Sequence, residues 1–163
     1  MNLKATIGME THVELDTKSK MFCSCEVVET DEPNISVCPT CLGLPGALPV
    51  PNKTAIEYIV MLSLGANCKI TNEGMFHRKN YFYPDLPKNY QISQFDFPVG
   101  VNGSLEIVLD EELHSVEIER VHMEEDTGKS VHIGSGRIDS ATSTLLDFNR
   151  SGIPLVEVVT KPV

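Results

Sequence analysis

Four of the five cysteines fall into two close pairs, a spacing that suits a metal ion. Cys23 and Cys25 form a CxC pair, and Cys38 and Cys41 form a CxxC pair after a gap of about a dozen residues. Two thiolate pairs joined by a loop can meet at the corners of a tetrahedron, which is the geometry of a closed structural zinc site. Such a site has no open coordination position, so the metal is expected to hold the loop at residues 22–42 rather than do chemistry. The alternative is a set of free thiols on an irregular loop.

A second group of side chains combines carboxylates with an imidazole. Glu10 and His12 lie on one face of an alternating segment, and the acidic run at residues 120–129 (RVHMEEDTGK) contains Glu124 and Glu125. If the two segments are neighbouring strands, these groups can converge on one cation, and such a set suits magnesium or manganese better than zinc. Either Glu124 or Glu125 could be the ligand, because the second strand ends near them. The alternative is an acidic, solvated face of a sheet.

A third group mixes cations with aromatic rings. Residues 76–91 contain Arg78, Lys79 and Lys88 among five aromatic side chains. The cations could hold phosphates and a ring could stack on a base, so the segment fits a nucleotide or the end of a nucleic acid. A packed aromatic loop with solvated lysines is the alternative.

Two other chemistries find no support. Gly128-Lys129-Ser130 resembles the end of a phosphate-binding P-loop, but the required earlier glycine would stand at Met123. The chain has no GxSxG motif, and its Cys and His residues lack the spacing of an activated nucleophile.

The elements that must position these groups can be read from the periodicity. The sequence predicts a half-buried strand at 5–15, a buried helix at 53–64 with Asn52 as its N-cap and Gly65 at its end, a hairpin of 104–109 with 114–123, and a last strand at 154–159. A phase change in the second hairpin strand predicts a β-bulge near Glu119 or Arg120. The class is therefore α+β, built mainly on antiparallel sheet with one buried helix.

Composition narrows the function further. The 163 residues are 41% hydrophobic and 22% charged, which is typical of one folded domain. A formal charge of -10 argues against a broad basic surface for nucleic acid.

No apolar stretch is long enough for a signal peptide or a membrane span, so a cytoplasmic location is expected, where disulfides are rare. Cys68 is then expected to be a core residue.

Four segments in order resemble the B-subunit family of tRNA-dependent amidotransferases, and together they span almost the whole chain. They are IGMETHVEL (7–15), RKNYFYPDLPKNYQISQ (78–94), RVHMEEDTGK (120–129) and DFNRSGIPLVEV (147–158). The resemblance implies a cradle-shaped catalytic domain, related in fold to glutamine synthetase and guanidino kinases, that binds ATP, magnesium and a misacylated tRNA. It also implies a ligase-type reaction: the side-chain carboxylate of Glu-tRNA(Gln) or Asp-tRNA(Asn) is phosphorylated and then amidated with ammonia from an amidase A subunit, with a small C subunit bracing the pair.

The resemblance also assigns residues. It implies that Glu10, His12, Glu124 and Glu125 hold magnesium and are catalytic, that Arg78, Lys79 and Lys88 contact phosphates, and that the four paired cysteines form a zinc knob carried by some members. Family members continue well past the position of Val163. Residues 1–163 are then the N-terminal part of the cradle, with the rest of the cradle, a helical domain and a tRNA-binding tail outside the chain, and these residues alone are expected not to amidate tRNA. A non-catalytic, zinc-bearing module that binds tRNA or protein is the alternative function.

Overall fold

A five-stranded antiparallel sheet and a single α-helix organise the chain, in a computed structural model that describes residues 3–134 and 137–163. The elements are β1 (Glu10–Glu14), α1 (Lys53–Gly65), β2 (Lys69–Ile70), β3 (His77–Asn80), β4 (Tyr90–Ser93), β5 (Gly100–Leu109), β6 (Glu112–Glu125), β7 (Lys129–Ile133), a short 3₁₀ helix (Ile138–Ser140), β8 (Ser143–Asp147) and β9 (Pro154–Thr160). The strand order is β1-β9-β6-β5-β2, and β3-β4 and β7-β8 form two separate hairpins. The predicted α+β class with mainly antiparallel sheet is confirmed.

The first strand is shorter and more exposed than the alternation predicts. It covers Glu10–Glu14 instead of 5–15, and it lies at the edge of the sheet. Met9 and Val13, expected on a buried face, are 63% and 37% exposed, whereas Leu15 is buried. The helix contacts β2, β5 and β6. The apolar face of β1 is therefore left open, since the covering element stops short of it.

Helix α1 begins where the sequence predicts but buries only one side. The side-chain oxygen of Asn52 accepts hydrogen bonds from the backbone N–H groups of Thr54 and Ala55, at 3.0 and 3.3 Å. This satisfies two donors that the first helical turn leaves unpaired. The prediction of a helix buried all round is wrong, because the sheet covers a single stripe. The buried residues are Ala55, Ile59 and Ser63.

The β5-β6 hairpin and its bulge are confirmed. Asp110 and Glu111 have φ values of 51° and 66°, as a tight two-residue hairpin turn requires. The register of β6 against β9 shifts between Ile118 and Arg120. The shift allows Ile118 and Val121, three residues apart, both to be buried against the helix side (1% and 0% exposed). Residues with the parity of Arg120 then point to the opposite face.

Close packing fixes β5 against the end of α1. A Cβ atom on Gly103 would lie 2.4 Å from the Ala66 carbonyl oxygen and 2.4 Å from the Cys68 sulfur. No larger residue fits there without moving backbone. Cys68 is buried in this core, as predicted; the core cluster consists of Leu15, Met21, Phe22, Ala55, Ile59, Ala66, Cys68, Ile92, Val99, Ile118, Val121, Met123 and Val156.

Beyond Val121, strand β6 no longer pairs with β5 and contacts β4 instead. Its pairing with β5 ends at Gly100, and β4 approaches instead. The Gln94 side-chain oxygen accepts a hydrogen bond from the Met123 backbone N–H at 3.1 Å, and the Gln91 amide donates to the Glu125 carbonyl at 2.7 Å. The β3-β4 hairpin is thereby fixed beside the acidic end of β6.

Helix α1 is shorter than the roughly 20 residues that a bilayer span requires. It has 13 residues, and within the described parts of the chain no helix is both long and apolar enough to cross a membrane.

Replacing Asn52 tests the helix cap. Its amide also donates to the Ser19 and Lys20 carbonyls, at 2.9 and 3.3 Å, so the side chain joins the helix start to the preceding loop. We expect Asn52→Ala to lower the free energy of unfolding by about 2 kcal/mol, measured by urea denaturation. Asn72→Ala, at an exposed position, is the matched control and should change it little. Equal stability of Asn52→Ala and wild type would contradict the role of the cap.

Candidate functional site

The polar side chains of three adjacent strands form one continuous surface. Because β1 and β6 both pair with β9, residues of the same parity line up across the sheet. The rows, each given in the order β1, β9, β6, are Glu10, Val159, Arg120; His12, Glu157, His122; and Glu14, Leu155, Glu124. This surface lies opposite to the face that packs on α1. The sheet therefore separates an apolar core from a cluster of acids and imidazoles.

The centre of this surface has the arrangement of a cation site. The His12 Nε2 atom lies 3.5 Å from a Glu124 oxygen and 3.7 Å from a Glu157 oxygen. One ligand atom from each of these residues lies within 4.8 Å of the other two. Glu124 and Glu157 are both buried, whereas the His12 side chain is 49% exposed. Two buried carboxylates beside one accessible imidazole nitrogen suit a divalent ion that is reached from solvent.

His122 is the third residue of the central row, on the other side of Glu157 from His12. Its Nε2 atom is 3.0 Å from Glu157 and 3.4 Å from Glu124, and its side chain is 3% exposed. It therefore contacts both acids from within the sheet surface. Its Nδ1 atom is buried without a hydrogen-bond partner among the described residues.

Glu124 is held in its charged form. Burial alone would raise the pKa of this carboxyl, but hydrogen bonding to His122 and Ser93 and the charge of Lys79 outweigh burial and lower it to about 2. The Ser93 hydroxyl donates at 2.7 Å, and the Lys79 ammonium lies 3.6 Å away. A preorganised carboxylate of this kind needs no deprotonation before it binds a cation.

The three predicted phosphate-binding cations lie in different places. Lys79 shares a face of the β3-β4 hairpin with Gln91 and points to Glu124. The Arg78 guanidinium lies 5.2 Å from the centre of the Tyr90 ring. Lys88 forms an ion pair elsewhere, with Glu125. Of these three, Lys79 alone forms an ion pair with the carboxylate cluster.

Glu125 lies on the other side of β6 from the cluster. It continues the alternation of the strand, so that Glu124 points to the polar surface and Glu125 away from it. Its carboxylate accepts from the Lys88 ammonium and from the Ile92 backbone N–H, the latter at 3.0 Å. The structure therefore brings His12 and Glu124 together and does not bring Glu125 to them.

A pocket opens beside the cluster. It has a volume of about 450 Å³, within the range of about 300–1,000 Å³ that is usual for small-molecule sites. Its lining includes the predicted ligand Glu10 together with Glu124 and Glu157, and it has a cationic wall formed by Arg78, Lys79 and Arg120 beside the imidazole of His77. Glu10 thus borders the pocket, one row along the sheet from the His12–Glu157 pair. Anionic groups of a ligand would meet cations on one side and a metal-binding edge on the other.

A second carboxyl pair borders the cluster. Glu14 and Asp126 line a smaller recess with His12 and Glu124. Burial, and then the neighbouring Glu14 carboxyl, raise the pKa of Asp126 to about 6, while the charge of Arg150 opposes this shift. The Arg150 Nε atom lies 3.3 Å from Asp126.

Sequence reasoning missed Glu157, His122, Arg120 and Asp126. Glu157 had a usable signal, since it is the one charged side chain within the apolar run of β9 (PLVEVVT). A charge at a sheet position flanked by apolar residues needs a partner, and His122 supplies it. Arg120 has no such sequence signal; its guanidinium lies 5.5 Å from the Phe95 ring centre, and its Nε is buried without a hydrogen-bond partner in the described parts of the chain.

The four paired cysteines converge in space. All four sulfur atoms lie within 4.8 Å of one another, and the Cys38 and Cys41 sulfurs are 3.8 Å apart. Sulfurs at about 2.3 Å from a tetrahedral zinc are separated by about 3.8 Å, so this donor set fits zinc. None of the five cysteines forms a disulfide.

As free thiols these four groups would share protons. A hydrogen bond from Cys23, aided by the Cys38 backbone N–H and the charge of Lys20, lowers the pKa of Cys41 to about 4 although burial opposes this. The same Cys41–Cys23 contact, followed by burial, strongly raises the pKa of Cys23. Burial, together with hydrogen bonding to Cys38, raises the pKa of Cys25 to about 11. A divalent metal removes this conflict because it can bind all four as thiolates.

Known proteins are similar in sequence to almost the whole of this chain. The chain is 59% identical over 160 residues to the B subunit of the aspartyl/glutamyl-tRNA(Asn/Gln) amidotransferase from Nocardia farcinica, an alignment that covers 96% of this chain and 32% of the relative. The proteins of the same name from Frankia casuarinae and Mycobacterium avium are 59% identical over 158 residues and 58% identical over 160 residues, each covering 96% of this chain and 31% and 32% of the relative. The chain thus spans about a third of the length of the curated relatives it matches. The sequence model of the GatB/GatE catalytic domain matches residues 5–163, and the chain therefore belongs to the GatB/GatE catalytic domain family.

Proposed function

We propose that this chain forms part of the site in which the B component of an amidotransferase activates the side-chain carboxylate of Glu-tRNA(Gln) or Asp-tRNA(Asn) with ATP. The observation that supports this most is the meeting of His12, Glu124 and Glu157 at the edge of a pocket with a cationic wall. Phosphoryl transfer needs little covalent help from a protein and depends on positioning and on charge, which this arrangement can supply.

In the proposed reaction, a carboxylate oxygen of the substrate attacks the γ-phosphorus of ATP, the bond to the bridging oxygen breaks, and ADP leaves with that electron pair. The product is an acyl phosphate. Ammonia then attacks its carbonyl carbon, loses a proton, and phosphate leaves. Activation is needed because a carboxylate oxygen is a poor leaving group and phosphate is a good one.

The residues of this chain would divide the work. His12, Glu124 and Glu157 would hold magnesium, which supplies positive charge near the transferring phosphoryl group when it is bound. Lys79, with Arg78 and Arg120 in the pocket wall, would bind phosphate oxygens. His122 would keep the two carboxylates oriented, since its Nε2 atom contacts both. Glu10 remains a predicted ligand at the edge of the pocket.

The magnesium role of Glu125 and the phosphate role of Lys88 remain predictions from the family resemblance. They pair with each other on the far side of β6, below the β4 segment. The magnesium set proposed from the structure therefore keeps His12 and Glu124 and adds Glu157.

The proposed partner subunits, tRNA contacts and fold relationship are inferred from the family. We propose that ammonia comes from an amidase A subunit, that a small C subunit braces the pair in a cytoplasmic heterotrimer, and that the tRNA is held largely by parts that the relatives have beyond the matched third. The related cradle fold of glutamine synthetase is proposed on the same ground. A non-catalytic zinc-bearing binding module is the competing function, and the cysteine cluster is the observation that favours it.

The first prediction from the proposed function concerns the metal ligands. Glu157→Gln keeps the shape of the side chain and removes its charge, so we expect binding of Mn²⁺, used as a paramagnetic substitute for magnesium, to weaken at least about tenfold. Electron paramagnetic resonance of free Mn²⁺ measures this. Glu106→Gln, at an exposed position of β5, is the control. Unchanged Mn²⁺ affinity in Glu157→Gln would remove Glu157 from the ligand set.

The second prediction separates catalysis from simple binding. A fluorescent methylanthraniloyl derivative of ATP should bind in the presence of magnesium and much more weakly without it, because the cluster and the cations hold the phosphates together. Lys79→Met should weaken binding about tenfold or more, since a charge-assisted contact is lost. Lys69→Met, on exposed β2, should not. Binding that ignores both magnesium and Lys79 would favour the competing function.

The third prediction concerns zinc. Protein purified without added metal should contain one zinc per chain, and Cys38→Ser should lose most of it because a closed site needs all four ligands. Cys68→Ala, which removes a core thiol outside the cluster, should retain it. Elemental analysis by mass spectrometry gives the stoichiometry, and metal-free wild-type protein would rule out the zinc site.

A further inference from the structure

A buried lysine lies against the cysteine cluster. Lys20 is fully buried (0% exposed), which is rare for a lysine that has no charged partner. Its ammonium donates to the Ser36 carbonyl at 2.7 Å and to the Phe148 carbonyl at 3.1 Å, and it lies 3.8 Å from the Cys41 sulfur. Three acceptors match the three N–H groups of an ammonium.

Within residues 3–134 and 137–163, no carboxylate balances this charge. The ion pairs formed there do not include Lys20. Two of its contacts are neutral carbonyls, so the anionic partner must be the sulfur. Four thiolates around one divalent zinc carry about two excess negative charges, which a partly buried site must offset. The positive charge of Lys20 can therefore offset part of the negative charge of the cysteine cluster.

We infer that Lys20 is the fixed counter-cation of the cysteine metal centre and sets its affinity for zinc. The inference rests on the proposed zinc site. Two carbonyl hydrogen bonds hold the ammonium beside Cys41, so the positive charge is in place before the metal binds.

The position of Lys20 also couples the cluster to the rest of the chain. Ser36 belongs to the cysteine loop, and Phe148 precedes β9. The same two segments are joined independently, since the Ser36 backbone N–H donates to the Asn149 side chain at 2.8 Å and the Phe148 backbone N–H donates to Asn34 at 2.8 Å. Because these contacts do not involve Lys20, removal of its charge leaves the loop attached. Electrostatic and structural roles can therefore be separated.

The test compares Lys20→Met with wild type and with Lys18→Met, an exposed lysine two residues earlier. Zinc affinity is measured by competition with a chromophoric chelator, and unfolding is measured with and without zinc. We expect Lys20→Met to bind zinc at least about tenfold more weakly, and zinc to stabilise it less than wild type, because the stabilisation that a ligand gives grows with its affinity. Lys18→Met should match wild type in both measurements.

The outcomes are distinguishable. If wild type binds no zinc, the zinc proposal fails and this inference with it. If wild type and Lys20→Met bind zinc equally, the zinc site stands and the role of Lys20 is overturned, even if the variant is less stable in both states. If Lys20→Met does not fold, Lys20→Gln provides the same comparison, because its amide can still donate to a carbonyl while carrying no charge.

Discussion

Strand β9 is paired on one side with β1 and on the other with β6, and the candidate site depends on this double pairing. The backbone hydrogen bonds fix which side chains share a row, and the central row contains His12, Glu157 and His122. A slip of one residue would turn Glu157 to the helix side and bring an apolar neighbour into its place. The buried packing of Val156 and Val121 opposes such a slip, because both would lose their core contacts. The hydrophobic face of the sheet thus specifies the register of its polar face.

The bulge in β6 has a comparable influence over the other half of the site. Before it, Ile118 packs in the core; after it, Val121 does so. The strand therefore keeps one apolar face against the helix on both sides of the bulge. His122 and Glu124, which follow the bulge, lie on the opposite face. Without the extra residue, either Ile118 or Val121 would face water. A local irregularity in the backbone is what permits a continuous core and an acidic surface on the same strand.

Local features of the fold could be predicted and distant ones could not. The Asn52 cap, the β5-β6 hairpin and the bulge near Arg120 are encoded by neighbouring residues, and each is found where the sequence indicates. The helix was expected to be buried all round because its composition does not show which elements surround it. Its exposed apolar residues, Tyr58, Met61 and Leu64, reflect a sheet that covers one stripe. The candidate site is a mixed case: residue type and spacing single out the four cysteines, whereas His12, Glu124 and Lys79 are assigned through the family resemblance, and the structure places His12 and Lys79 beside Glu124. Glu157 could not be assigned, because its row is set by the pairing of β9 with two strands that are remote in sequence. The choice between Glu124 and Glu125 stayed open for a related reason: alternation alone puts them on opposite sides, and only the position of Lys88 shows where Glu125 is satisfied.

The separation of His12 and Glu157 along the chain has a consequence for biosynthesis. The β5-β6 hairpin closes through a two-residue turn, and such hairpins form in about 1–10 μs once their residues are available. Strand β1 is synthesised well before β9, the strand that pairs with it, and closing so long a loop has an entropic cost. Until residues 154–160 have been made, β1 therefore has no β9 partner. Its alternating polar side chains, Glu10, His12 and Glu14, disfavour pairing of this edge strand with other chains.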